Sequence, residues 1–329
     1  MNSKAIFLIL SLFSGIIELG GVFYSFKMGL DSQYTVIIAL LYQLGNLFPV
    51  PLKLNKAFLI FFNNITFFSM NLMYVYKINS WICFFIVYLL TTIIIQSLRA
   101  EGKAEVSTEL KRAFRIIGFM ISYLFSFKML FIINLLTFIL VFFYPKDKKF
   151  FCIYPKKINS LGKIMIYHQV HYFSYVYILL IIFYKSNQLN LLKIAIYFSI
   201  SWIVYTSIPI IISSKNYKKI FIFGHLYLTI LLLMFFFVKN ITIAIIFWTL
   251  SGIGGGTVFC IKKINKKSKK YMNNEEIIFY ENIGHILGVI ISLIFLIIFK
   301  NKLNYIFLFS STFALIACFF MSKYSVNKK

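Results

Sequence analysis

The stretch LKRAFRIIGFMISYLFSFKMLFIINLLTFILVFFY, residues 110–144, decides the architecture of this chain. Beyond its basic start it is almost wholly apolar, and a single interior cation, Lys128, interrupts it. A helix needs about 20 apolar residues to cross a hydrocarbon core. The run is therefore long for one crossing and short for two. One tilted helix would strand Lys128 in mid-membrane, at about 2.5–3.5 kcal/mol on insertion scales. Two short helices, joined by a tight turn at Ser126-Phe127-Lys128, would move the lysine into a loop.

The other apolar segments arbitrate. They lie near 5–26, 33–52, 57–76, 80–98, 163–184, 191–212, 219–238, 240–261, 279–299 and 303–322, each close to the length of a crossing. Lys and Arg accumulate in cytoplasmic loops. With two helices in 110–144 and the N-terminus inside, 26 of the 34 basic residues fall on the cytoplasmic side and 8 outside. With one helix every later loop flips, and the balance becomes 13 inside to 20 outside. The bias predicts an all-α membrane protein of about 12 transmembrane helices, with both termini cytoplasmic. Spans 110–127 and 129–144 are short, so their basic ends are expected to snorkel or the bilayer to thin locally.

Composition points the same way. The 329 residues are 60% hydrophobic and only 13% charged, too little polar material to cover a soluble fold of this size, whereas lipid accepts an apolar exterior. The net charge of +25 does not imply nucleic acid, because the cations sit in short loops between apolar runs instead of on one face of a domain. Cys83, Cys152, Cys260 and Cys318 are scattered, with neither a CxxC pair nor metal spacing, and read as apolar filler. One lysine precedes the first apolar run and no small-residue cleavage site follows it, so the expectation is a retained first helix.

The spans group as an N-terminal six-helix bundle (1–144), a cytoplasmic linker (145–162) and a C-terminal six-helix bundle (163–329). Loop character recurs between the halves. The loop after each second helix is short and basic (Lys53 and Lys56; Lys215, Lys218 and Lys219), and the loop after each fourth helix is longer and charged. Duplicated bundles of this kind are common among secondary transporters.

Six plus six helices, both ends inside and a basic central loop resemble the major facilitator superfamily. The glycine run Gly252-Ile253-Gly254-Gly255-Gly256 is similar to the glycine-rich tenth helix often seen there, and Gly284 and Gly288 fit the eleventh. At the place of the family's signature loop between helices 2 and 3, the chain reads Gly45-Asn46-Leu47-Phe48-Pro49-Val50-Pro51-Leu52-Lys53, without the signature's aspartate and second glycine. The resemblance implies rocking of two bundles about a midplane cavity bordered by helices 7 and 11, a small-molecule substrate, and a place in the plasma (cytoplasmic, or inner) membrane.

Only nine acidic residues exist, and most lie in or beside loops. Glu18 is different: it sits 14 residues into the first span, among Gly15, Gly20 and Gly21. An ionisable group at that depth should face protein or a water-filled cavity, which makes it the candidate proton carrier. Its bland counterpart is a carboxyl bonded to a neighbouring helix across a small-residue packing face. His168 and His171 share one helix face, three residues apart, and Glu281 and His285 share another, four apart. Three roles stand open for this second group: a proton relay or cytoplasmic gate, a metal site of three His and one Glu, or interfacial histidines with a snorkelling glutamate. No metal is assigned, and His225 receives no role. Gln43 and Asn46 in the second span are amide candidates for a substrate path, with helix–helix hydrogen bonding as the alternative.

The run Lys262–Lys270 (KKINKKSKK) sets topology and should attract anionic lipid at about 1 kcal/mol per cation. No P-loop, paired-aspartate motif or hydrolase elbow is present, so neither an enzyme nor a cofactor is expected. Nothing demands more than a monomer. The sequence thus predicts a secondary transporter using alternating access, with proton coupling through Glu18. A cationic or neutral solute is preferred, because all three arginines read as cytoplasmic and none as lying in the membrane core. A lipid-linked saccharide flippase or other lipid-handling protein, and a ten-helix drug/metabolite-type transporter, are the alternatives.

Overall fold

A computed structural model describes residues 3–48, 54–75, 81–101, 107–143, 159–186, 188–212, 216–268, 272–299 and 302–325. The chain divides into two compact units, Met1–Tyr154 and Pro155–Lys329. Unit 1 holds α1 (Ser3–Lys27), α2 (Ser32–Leu47), α3 (Lys56–Val75), α4 (Trp81–Glu101), α5 (Thr108–Ile121) and α6 (Phe127–Phe142). Unit 2 holds α7 (Ser160–Lys185), α8 (Leu191–Ile211), α9 (Tyr217–Phe237), α10 (Ile241–Gly256), α11 (Phe259–Lys267), α12 (Asn274–Ile298) and α13 (Tyr305–Lys323). No strand occurs among the described residues. Nine segments among them are long and apolar enough to cross a membrane.

The decisive stretch is broken, as the lysine demanded. After α5 comes a 3₁₀ turn, Ser122–Leu124, and then extended backbone at Phe125 and Ser126. Ser126 accepts a hydrogen bond from the Met129 amide and so starts α6. Lys27, the last residue of α1, donates to the carbonyls of Tyr123 and Phe125, which the break leaves without helical partners. The turn therefore precedes the expected Ser126–Lys128 position, and Lys128 lies in the first turn of α6. With 14 and 16 residues, α5 and α6 are about 21 and 24 Å long, short of a core of about 30 Å.

Asparagine starts most of unit 2. Asn159, Asn190, Asn216 and Asn240 cap α7, α8, α9 and α10 with their side chains, and Asn273 forms a full capping box with Glu276 on α12. The expected linker lies outside the described residues up to 158, and Ser160–Gly162 already belong to α7. The expected span 240–261 is two helices, α10 and α11, separated at Thr257-Val258.

Packing inside each unit follows one plan. In unit 1 α1 packs on α5, α2 on α4, and α3 on α6; in unit 2 α7 packs on α12, α8 on α10, and α9 on α13. The first pair of each plan is parallel. Lys111 approaches the Phe7 ring, Glu18 meets Arg115, and Lys27 reaches Tyr123; likewise Gly162 faces Tyr280, and Gly288 faces Phe173. The third pair is antiparallel in both units, with Lys56 on the Phe142 carbonyl and Lys218 on the Ser322 carbonyl. The recurrence suspected from loop character is thus present as helix pairing. Glycine makes the parallel pairs close: a Cβ at Gly15 would overlap the Arg115 carbonyl oxygen, and one at Gly118 the Leu12 carbonyl oxygen.

The distribution of polarity is the reverse of a soluble protein. Phe68, Ile82, Ile210, Phe223 and Phe237 are exposed, while Glu18, Gln43, Asn134, His168, His171 and His225 are buried. Lipid is the solvent that makes such a surface stable. The chain is a multi-pass integral membrane protein.

Candidate functional site

Unit 1 buries a polar network at the meeting of α1, α2, α4 and α5. Arg115 donates two hydrogen bonds to Glu18 Oε2, through Nε at 3.0 Å and through Nη2. Tyr42 donates to the same oxygen at 3.2 Å and lies 3.0 Å from Ser14 Oγ. Arg99 donates to Ser14 Oγ at 2.8 Å and to Gln96 Oε1 at 2.7 Å, and Gln96 Nε2 reaches Ser14 Oγ at 3.1 Å. Asn46 donates to Gln43 Oε1 at 3.1 Å on the adjoining face of α2.

This corrects the sequence reading in one respect. Arg115 was expected in a cytoplasmic loop, but α5 begins at Thr108 and runs parallel to α1, which brings Arg115 to the level of Glu18. Arg99, too, turns into the network from the last turn of α4. The preference for a cationic or neutral solute rested on arginines staying outside, and it loses that support. Glu18 itself lies inside the bundle as expected, only 5% exposed at its side chain and matched by a charge.

In unit 2 the structure regroups the histidines. His168 and His171 project from α7, one turn apart, and His225 comes toward them from α9. Ring centroids are 5.0 Å apart for His168–His171, 5.0 Å for His168–His225 and 5.7 Å for His171–His225. All three are buried. His168 Nδ1 lies 2.8 Å from His225 Nε2, and His225 Nδ1 lies 3.0 Å from the Phe221 carbonyl oxygen. A carbonyl only accepts, so His225 Nδ1 carries the proton. In the neutral ring Nε2 is then the acceptor, and His168 Nδ1–H donates to it. Both ring nitrogens of His171 are buried without a hydrogen-bond partner.

Glu281 and His285 do not join this trio as ligands of one centre. Glu281 pairs with Lys262 of α11 at 2.9 Å, and the His285 ring packs against Phe173 with centroids 4.0 Å apart. The expected set of three His and one Glu thus becomes His168, His171 and His225, with the histidine that sequence left without a role as its third member. Position 225 is separated from 168 by a whole helix, and no local spacing signals it. Of the basic run Lys262–Lys270, Lys262 forms this pair, Lys267 lies over the Tyr217 ring, and Lys269 and Lys270 lie outside the described residues.

An apolar exterior, six helices paired by one repeated plan in each unit, and buried polar clusters in both define a helical membrane fold. The known structures agree over the whole chain. The nucleoside transporter NupG is 14% identical, with a TM-score of 0.64, covering 99% of this chain and 100% of its own. A bacterial metal transporter is 10% identical, with a TM-score of 0.63 and 98% of each chain covered. The human organic anion transporter MFSD10 is 10% identical, with a TM-score of 0.60, covering 97% of this chain and 98% of its own. The chain has the major-facilitator fold. No family model and no curated protein matches its sequence.

Proposed function

We propose that this protein is a secondary transporter that moves a small solute by alternating access, with twelve crossings and both termini in the cytoplasm. The carrying observation is a full-length major-facilitator fold that keeps a linked acid–base network inside an apolar exterior. Lipid would not tolerate buried charge of this kind without a purpose in packing or transport. The helix directions support the crossing count: α1 and α5 are parallel, as are α7 and α12, which needs an odd number of crossings between the members of each pair.

In this scheme Glu18 carries the coupling proton. Protonation removes the charge that holds Arg115, so proton uptake loosens the contact of α1 with α5. Neighbouring folds carry nucleosides, a metal and organic anions, so the fold does not name the cargo. Gln43 and Asn46 remain candidates for the solute path. Reconstitution tests the proposal. Proteoliposomes should take up a solute from a panel of nucleosides, organic anions and divalent ions saturably, and an imposed pH gradient should drive it. Glu18→Gln should abolish the gradient's effect; undiminished proton-driven uptake would remove Glu18 as the carrier. Flipping of a labelled lipid-linked saccharide without solute uptake would favour the lipid-handling alternative instead.

A further inference from the structure

The trio in unit 2 has the chemistry of a metal site. Three imidazoles from two helices converge, with one ligand nitrogen from each lying within 4.8 Å of the other two. A tetrahedral ion with metal–nitrogen bonds of about 2.0–2.1 Å spaces its ligand atoms by about 3.3–3.4 Å. His168 Nδ1 and His225 Nε2, at 2.8 Å, need to part by about half an ångström to reach that spacing. His171 needs to swing inward; its ring lies near the His168 carbonyl but makes no hydrogen bond of ordinary geometry.

Two further features point to a ligand. His225 is oriented as metal-binding histidines are: its Nδ1–H is tied to a backbone carbonyl, which fixes the tautomer and aims the Nε2 lone pair at the trio. His171 is fully buried and has neither ring nitrogen satisfied. Buried polar atoms in native proteins are nearly always paired, and a shared ion is the partner that would satisfy His171 together with the lone pairs of its neighbours. The His168–His225 hydrogen bond is then the resting arrangement of the site; binding requires the His168 proton to move from Nδ1 to Nε2.

We propose that His168, His171 and His225 form a binding site for a first-row transition-metal ion of the zinc class, with a fourth position open to water or another donor. Imidazole donors suit zinc, copper, iron and nickel, and exclude magnesium and calcium. No carboxylate belongs to the trio, so the buried charge of the ion is not compensated by its ligands. An ion held inside a protein proposed as a transporter, at a site with one position open, is assigned as the cargo. That assignment rests on the transporter proposal, whereas the site itself does not.

Two measurements separate the claims. Full-length protein in detergent, stripped with chelator, is titrated with Co²⁺ and Zn²⁺, with the ligand-field spectrum of Co²⁺ and the metal-dependent rise in melting temperature as readouts. One ion per chain and a tetrahedral-type spectrum are expected. His168→Ala, His171→Ala and His225→Ala should each weaken binding by about a hundredfold or more, while Phe68→Ala, on the exposed face of the other unit, should bind like the wild type. An unperturbed Co²⁺ spectrum, or alanine variants that bind as the wild type does, overturns the site. In the second measurement, Zn²⁺ uptake into proteoliposomes should be saturable and lost in the same three variants. Binding without Zn²⁺ uptake overturns the cargo assignment and leaves the site standing. Failure of every solute to move would instead remove the transporter proposal.

Discussion

Replacing Arg115 with glutamine leaves the Glu18 carboxylate buried with Tyr42 as its remaining partner. Removing one member of a buried ion pair destabilises by about 3–5 kcal/mol, because the other charge stays desolvated. The two ends of this pair are not equally buried: the side chain of Glu18 is 5% exposed and that of Arg115 23%. Losing the arginine should therefore hurt more than losing the acid, since an unpaired Arg115 can turn toward water. Arg115→Gln is expected to lower stability by about 3 kcal/mol, and Glu18→Gln, which keeps an acceptor for Tyr42, by about 1–2 kcal/mol. The double replacement removes both members of the pair and leaves Arg99 as the one charge of the network, still bonded to Ser14 and Gln96. It should lie well above the sum of the single losses, with a coupling of about 2–3 kcal/mol. Unfolding in mixed micelles with rising SDS measures all four proteins of the cycle. Single losses that add within about 0.5 kcal/mol would show that the two groups do not depend on one another, and the proposed proton switch would fall with that result.

Other outcomes follow from the same geometry. Gly118→Leu should part α1 from α5, because even a Cβ there overlaps the Leu12 carbonyl; a loss of more than about 2 kcal/mol is expected, together with loss of proton coupling in uptake assays. His171→Phe removes two buried, unsatisfied nitrogens, so metal-free protein should become about 1–3 kcal/mol more stable while losing Zn²⁺ binding; a destabilised variant would mean that the ring nitrogens are already satisfied. Glu281→Gln should change stability by less than about 1 kcal/mol, since Lys262 is 47% exposed at its side chain. A cysteine at Ser107 should be labelled from the cytoplasmic side and one at Lys128 from the opposite side, by impermeant maleimide; labelling of both from one side would refute the twelve-crossing topology.

The break in 110–144 was legible because a lysine in hydrocarbon is costly and because loop cations report sidedness. Its position was not: Lys27, nearly a hundred residues earlier, supplies the donors that stabilise the open carbonyls of Tyr123 and Phe125, and no local pattern announces a partner at that distance. Glu18 stood out by depth alone. Its partner was hidden because Arg115 follows Lys111 and Arg112 in what reads as a basic loop end, and only the parallel approach of α1 and α5 carries it inward. His168 and His171 were visible as a helical pair, yet Glu281 and His285 looked like their complement through the same spacing rule. Side-chain partners across helices decided otherwise, sending Glu281 to Lys262 and bringing in His225 from α9.

The junction between α10 and α11 connects the histidine trio to the backbone. Thr257, where one helix hands over to the next, has its hydroxyl 3.4 Å from His225 Nδ1, and it also fills the space beside Gly224. A change of side chain at position 257 would therefore be felt by the His225 ring directly. One threonine side chain thus borders both the ring that would hold an ion and the start of a basic helix, α11, which ends at Lys266 and Lys267.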